Sequence, residues 1–254
     1  MKPITDYANV LGMLLSNYDC IFLGECYQPG DVQALATRAQ QQMNKALRFV
    51  NMYDRSGESE HKNCLIYDKN VVSSRNLKSE SFYKTGSNIV KKCRIGQLIH
   101  IKPKCSRQEL DIYISHWNAL HDSKHKIKKV AARDLREKIS RKSANRYVVC
   151  MGDYNVEPYE APVFEELETT RSMEFAVKKN CLFNLAWSGL GDNKGSIRIT
   201  PRIYNSPMAM FDQAFVNKEI LEDFEVTFEV LSVFRKFNLG KHNPIVLKLK
   251  RKKS

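Results

Sequence analysis

The chain has 254 residues, 43% of them hydrophobic, which is enough for the core of one large α/β domain, and a single domain over residues 1–254 is expected. No run approaches the roughly 18 consecutive apolar residues of a membrane helix, and the opening MKPITDYANV lacks the basic flank and apolar stretch of a secretory leader; a cytoplasmic protein is expected. A formal charge of +13 sets up a field that gathers polyanions, with nucleic acid favoured over acidic membranes or anionic proteins.

In chain order, Ile4, Ala8, Leu11, Leu14 and Leu15 have helical spacing, and Asp19–Leu23 has the length and apolar character of a buried strand. The Ala/Gln-rich stretch from Asp31 to about Asn51 predicts a second helix, with Asp31 as its cap. After the polar break at 54–63, strands are expected at Cys64–Tyr67, Gln97–Ile101 and Asp111–Ile114. A strongly basic helix follows from about Ser123 to Ser140, then the strand Tyr147–Met151 ending in Gly152-Asp153. Val163–Thr169 reads as a helix, residues 189–195 as a Gly- and Asn-rich loop, and 211–216, 226–231 and 245–249 as late strands. A basic tail from about Lys248 is expected to fray. Consecutive strands mixed with helices suggest two packed sheets with helices outside them.

The seven cysteines (Cys20, Cys26, Cys64, Cys93, Cys105, Cys150, Cys181) are scattered and show no zinc-ligand spacing. They are expected as reduced thiols, with Cys20, Cys150 and Cys181 as core fillers.

Polar residues able to do chemistry recur at strand ends: Glu25 after CIFLG, His116 after DIYIS, Asp153 and Asn155 in MGDYN, Asp212 opening FDQAFV, and His242 before PIVLKL. Side chains so placed can converge on one cleft. The ordered motifs D-x-I-x-L-x-E, S-H-W, G-D-Y-N, F-D-Q-x-x-V-N and H-x-P resemble the endonuclease/exonuclease/phosphatase superfamily, and bacterial members in particular. Each motif is weak alone; five in order over Asp19–Leu249 are specific.

The resemblance implies a DNase-I-like α/β (α+β) fold, a four-layer α/β/β/α sandwich of two mixed sheets, and metal-dependent phosphoester hydrolysis. It implies Glu25 as a ligand for Mg²⁺ or Mn²⁺, hard ions that suit oxygen donors. Asp153 would orient or deprotonate the attacking water and Asn155 would bond to the phosphate or the water. His242, held by Asp212, would contact the phosphate, and His116 would donate to the phosphate or assist the leaving oxygen.

Two departures stand out. Family members begin with a strand ending in Asn, whereas this sequence opens on the following helix, where Asn9 is a poor substitute; either the sheet lacks that strand, or a protein partner supplies it, or the native start lies further upstream. The family's Ser-Asp-His reads Gly240-Lys241-His242 here, so an ammonium stands where a metal-binding carboxylate is expected. Lys124, Lys126, Lys128 and Lys129, together with Lys241, are candidate nucleic-acid contacts on a basic stripe beside the cleft. Substrate classes are therefore ordered: first a nuclease of little sequence preference, then a degenerate or partner-dependent nucleic-acid-binding subunit, then a phosphatase or phospholipase.

Overall fold

The computed structural model describes residues 4–25, 29–42, 45–56, 59–73, 77, 79–84, 93–104, 108–119, 126–142, 146–190, 195–198, 208–231 and 242–252. Helix α1 (Ile4–Asn17) buries Val10, Leu11, Leu14 and Leu15 on one face and leads into β1 (Cys20–Leu23). Helix α2 (Pro29–Gln42) starts at a proline, whose missing N–H costs nothing in a first turn. The helix expected to continue to Asn51 is corrected: it stops at Gln42, and Leu47–Asn51 is strand β2, paired antiparallel with Cys64–Asp68. The aromatic and branched residues of LRFVN suit that ladder better than a helix surface.

The hairpin β3 (Asp54–Ser56) and β4 (Ser59–His61) precedes β5 (Cys64–Asp68), β6 (Val72–Ser73), β7 (Ser79–Lys84), β8 (Cys93–Pro103) and β9 (Leu110–His116). Helix α3 (Lys126–Lys142) then crosses over to β10 (Tyr147–Asp153), which lies parallel to β9. The helix expected at Val163–Thr169 is also corrected. Pro162–Glu166 forms one π-helical turn closed by Leu167 N–H on Pro162 O, Glu168 reverses the chain at φ 55°, and β11 (Thr169–Thr170) pairs with Leu182 and Phe183.

The chain continues through α4 (Met173–Lys179), β12 (Leu182–Asn184), β13 (Ile197–Arg198), β14 (Met208–Ala209), β15 (Asp212–Val216), α5 (Lys218–Asp223), β16 (Phe224–Val230) and β17 (Ile245–Arg251). The fraying tail is a third correction, because Lys248, Lys250 and Arg251 pair with Thr227, Glu225 and Phe224 of β16. Lys252 Nζ further donates to Leu221 O at 2.7 Å.

One sheet runs β1-β5-β2 and a larger one β11-β12-β15-β10-β9-β8-β6, with β7 also on β8. Successive side chains of a strand face opposite sides, so β9 and β10 serve two cores. Tyr113, Val148 and Cys150 pack toward Ala131, Leu135 and Ile139 of α3. Ile112, Ile114 and Val149 pack toward Leu65 of β5, with Phe228 and Leu247 of the β16-β17 pair against them. Leu11, Leu15, Ala36 and Ala39 of α1 and α2 cover Cys64 and Ile66 on the far side of β5. Helices, sheet, sheet and helix thus make the four-layer DNase-I-like sandwich. Strand β1 is an edge of its sheet among the described residues. Cys64, Cys93 and Cys150 are buried free thiols, Cys20 and Cys181 are only partly buried, and Cys26 and Cys105 lie outside the described residues. Cys20 nevertheless packs against the core between the sheets, so only Cys181 departs from the expected core-filling role.

Candidate active site

Strand register builds the site. Asp153 pairs with His116 across the parallel β9-β10 ladder and with Asp212 across the antiparallel β10-β15 ladder. Directly opposed residues point to the same face, so three strands set His116, Asp153 and Asp212 in one row. Gly152 permits this, because at φ 139° a Cβ would stand 2.0 Å from Ser115 O. A side chain there would push the two strands apart at the point where the row forms.

His242 closes the row from the approach to β17. A bridge to Ile197 and the bond from Asn243 N–H to Ser196 O (2.6 Å) hold its backbone. Its Nδ1 lies 2.8 Å from Asp212 Oδ2, and since an ionised carboxylate only accepts, Nδ1 carries the proton. Nε2 then faces Asp153 Oδ2 at 4.0 Å. His116 Nε2 lies 4.0 Å from the same oxygen and 3.9 Å from Glu25 Oε1. Glu25, in the left-handed region at φ 55°, projects a largely exposed carboxylate toward the row.

These neighbours set the charges. Burial raises the pKa of Asp153 well above the usual carboxylate range, and the charge of Asp212 adds to the effect, against the pull of His242. For His242, burial disfavours the charge, yet the Asp212 hydrogen bond and the charges of Asp212, Asp153 and Glu25 prevail and raise it to about 9. His116 is lowered to about 3, by burial first and then by Arg94 and His242. At neutral pH the site therefore holds one charged and one neutral imidazole on either side of a carboxyl group that binds protons readily.

Asn155, at φ 53°, donates its backbone N–H to Asp153 Oδ1 (2.8 Å) and its side-chain amide to Trp117 O (2.9 Å). One neighbour went unnoticed in the sequence and another was given a different role. Arg94, whose guanidinium donates to Glu60 O and Trp117 O at 3.3 Å each, acts electrostatically on Asp153, Glu25 and His116. Its only sequence signal is a charge inside the strand CRIGQ. The second is a different role for Lys128, which is corrected as a nucleic-acid contact: it is 6% exposed, and its ammonium donates to Asn155 O at 2.7 Å.

The rest of the basic stripe is largely paired. Arg133 and Lys129 face Glu166 (2.8 and 3.8 Å), Arg136 faces Glu168 (2.7 Å), and Arg141 pairs with Glu137. Lys126 is exposed, while Lys124 and Lys241 lie outside the described residues.

The donor set suits a hard divalent ion. Asp153 and Asp212 offer carboxylate oxygens in one cluster with His242, which as a cation has no lone pair to give an ion, and Glu25 adds a carboxylate beside His116. Burial first, and the neighbouring Asp212 charge second, raise Asp153, and a cation bound there would relieve both.

A four-layer sandwich with carboxylates and imidazoles gathered at adjoining strand ends defines a DNase-I-like hydrolase. The family model for the "Endonuclease/Exonuclease/phosphatase family" matches residues 30–243, and the chain belongs to that family, whose members are generally metal-dependent phosphoesterases. Among curated proteins, none matches the sequence. Solved structures similar to this one include a Bacteroides thetaiotaomicron mannosyl-6-phosphatase (TM-score 0.64, 15% identity, covering 97% of this chain and 91% of that one). A humanized D. rerio TDP2 is similar at TM-score 0.61 and 18% identity, over 97% and 92% of the two chains. The human Nocturnin catalytic domain with bound sulfate is similar at TM-score 0.63 and 14% identity, over 97% and 87%.

Proposed function

We propose that this chain is a phosphodiesterase dependent on Mg²⁺ or Mn²⁺ that hydrolyses DNA or RNA with little sequence preference. The observation that carries the proposal is the convergence of Glu25, His116, Asp153, Asp212 and His242 at contacts of 2.8 to 4.0 Å. Glu25 would hold the ion, which when bound supplies Lewis-acid stabilisation of charge on phosphate oxygens.

The chain's own groups divide the remaining work. Asp153, with its raised proton affinity, takes the proton of the attacking water. His242, charged and locked by Asp212, binds the phosphate and strengthens its hold as negative charge develops. His116, neutral, donates its N–H to a phosphate oxygen or the leaving oxygen. Asn155 sets the rotation of Asp153 through its backbone N–H. The formal charge of +13 favours a long polyanion.

The test is cleavage of plasmid, single-stranded DNA and RNA with Mg²⁺ or Mn²⁺, with EDTA and Asp153→Ala as controls. Cleavage that survives in the Asp153→Ala protein or in EDTA would defeat the proposal.

A second reading, a phosphomonoesterase, is favoured by the pairing of the α3 cations with Glu137, Glu166 and Glu168, which spends charge a nucleic acid would otherwise meet. Turnover of hexose 6-phosphate or 4-nitrophenyl phosphate without cleavage of any nucleic acid would select it. A nucleic-acid-binding subunit without activity would show salt-sensitive binding that persists in EDTA. A protein partner that extends the β1 edge belongs to the same proposal and would appear as a stable hetero-complex.

A further inference from the structure

We infer that Lys128 is a positioning residue whose buried ammonium fixes the turn carrying Asp153 and Asn155; the inference rests on the active site proposed above. The buried stripe of α3 runs Lys128, Ala131, Ala132, Leu135 and Ile139, a helical spacing in which the last four are at most 1% exposed. A lysine at the head of such a stripe can lay its aliphatic stem along apolar neighbours, but its ammonium requires an acceptor. It finds one in Asn155 O at 2.7 Å, 27 residues along the chain.

That carbonyl belongs to Asn155 at φ 53°, a left-handed conformation that asparagine adopts more readily than other side chains and that its bonds here fix. The turn is pinned at three atoms: Asn155 O by Lys128, Asn155 Nδ2 by Trp117 O at 2.9 Å, and Asn155 N by Asp153 Oδ1 at 2.8 Å. The third bond sets the rotation of the Asp153 carboxylate. With Oδ1 held by Asn155, Oδ2 is directed between His116 and His242, 4.0 Å from each. Trp117 O, which receives the Asn155 amide, also receives Arg94, so the loop after His116 and the loop after Asp153 share one anchor. Lys128 reaches this arrangement from α3, outside the sheet, through the Asn155 carbonyl.

The test compares the full-length wild type with Lys128→Met, which keeps an apolar stem on the stripe, and Lys128→Arg, which keeps a cationic donor. Hydrogen exchange is measured over residues 153–157, α3 and β10, and turnover is measured on bis(4-nitrophenyl) phosphate with Mn²⁺. Lys128→Met is expected to raise exchange at 153–157 alone and to lower kcat by roughly 10- to 100-fold with KM nearly unchanged, the scale of a mispositioned catalytic group. Lys128→Arg is expected to recover most of that loss. Unchanged exchange at 153–157, exchange raised equally across α3 and β10, an undiminished kcat in Lys128→Met, or an Arg variant as impaired as the Met variant would each overturn the inference. A wild type without turnover on any phosphoester would count against the proposed function instead, and the exchange contrast alone would then decide the role of Lys128.

Discussion

Replacing Glu157 by Gln should make the protein more stable at pH 8 than at pH 5, relative to wild type. Glu157 is 4% exposed and accepts the Met210 N–H at Oε2 (3.2 Å), tying the loop beyond Asp153 to the residues that lead into Asp212. Burial, with a contribution from Glu160 and against the Met210 bond, raises its pKa from 4.5 to about 7. A carboxyl group raised in the folded state is fully tolerated below 4.5 and penalised as pH climbs toward 7, since the unfolded chain ionises first.

Each pH unit is worth about 1.4 kcal/mol, which bounds the penalty at about 3.5 kcal/mol, and local relaxation and water bring the expected figure nearer ~2 kcal/mol. Glutamine keeps an oxygen for Met210 and carries no charge. Urea unfolding of both proteins at pH 5 and pH 8 should show the difference growing by ~2 kcal/mol, or about 4 to 8 °C in melting temperature for a domain of this size. Using the difference between two proteins cancels the opposite trend from His116, whose depressed pKa costs stability as pH falls below 6.5. A variant whose advantage is the same at both pH values would refute the reasoning.

Gly152→Ala should lower the melting temperature by about 10 °C or more, or abolish soluble expression, since its Cβ would sit 2.0 Å from Ser115 O on the strand that carries His116. Calorimetry checks this, and a shift below 3 °C (roughly 1 kcal/mol) would show that the two strands separate easily. Asp212→Asn should leave the circular dichroism spectrum unchanged and cut kcat on the order of a thousandfold, by analogy with the loss when an imidazole loses its orienting carboxylate. Steady-state kinetics decide the point. Removal of metal with EDTA should end turnover, and Mg²⁺ or Mn²⁺ at about 100 times its Kd should restore it and stabilise the fold by about 2.7 kcal/mol. Turnover that persists after chelation would exclude the assigned ion.

Strand positions were legible where side chains alternate or form apolar runs, as at β5, β9 and β10, because burial on one or both faces is written into the sequence. The boundary at Gln42 was not, since the residues after it are tolerable in a helix and only pairing with β5 makes them a strand. Thr169 and Thr170 were missed for the same reason, as their ladder partners lie more than ten residues away. The polar residues of the site could be read as a set because each falls at a strand end. Their grouping depended on register, which no local pattern encodes. Lys128 could have been found: a lysine in phase with Ala131, Ala132, Leu135 and Ile139 breaks the apolar stripe, and a buried break of that kind calls for a polar partner. Arg94 could not, because its acceptors are backbone carbonyls of Glu60 and Trp117.

The same bonds give part of α3's positive charge a use within the fold. Glu166 and Glu168 flank the turn that follows the Asp153 loop, and their pairs with Arg133 and Arg136 draw that turn onto the helix. Exposed pairs of this kind are strongly screened by solvent, so their effect is to fix orientation more than to add stability. Buried Lys128 adds a stronger contact to the loop itself. Part of α3's charge therefore braces the wall of the site, through Lys128, Arg133 and Arg136, while Lys126, Arg133 and Arg141 keep exposed side chains on the same helix.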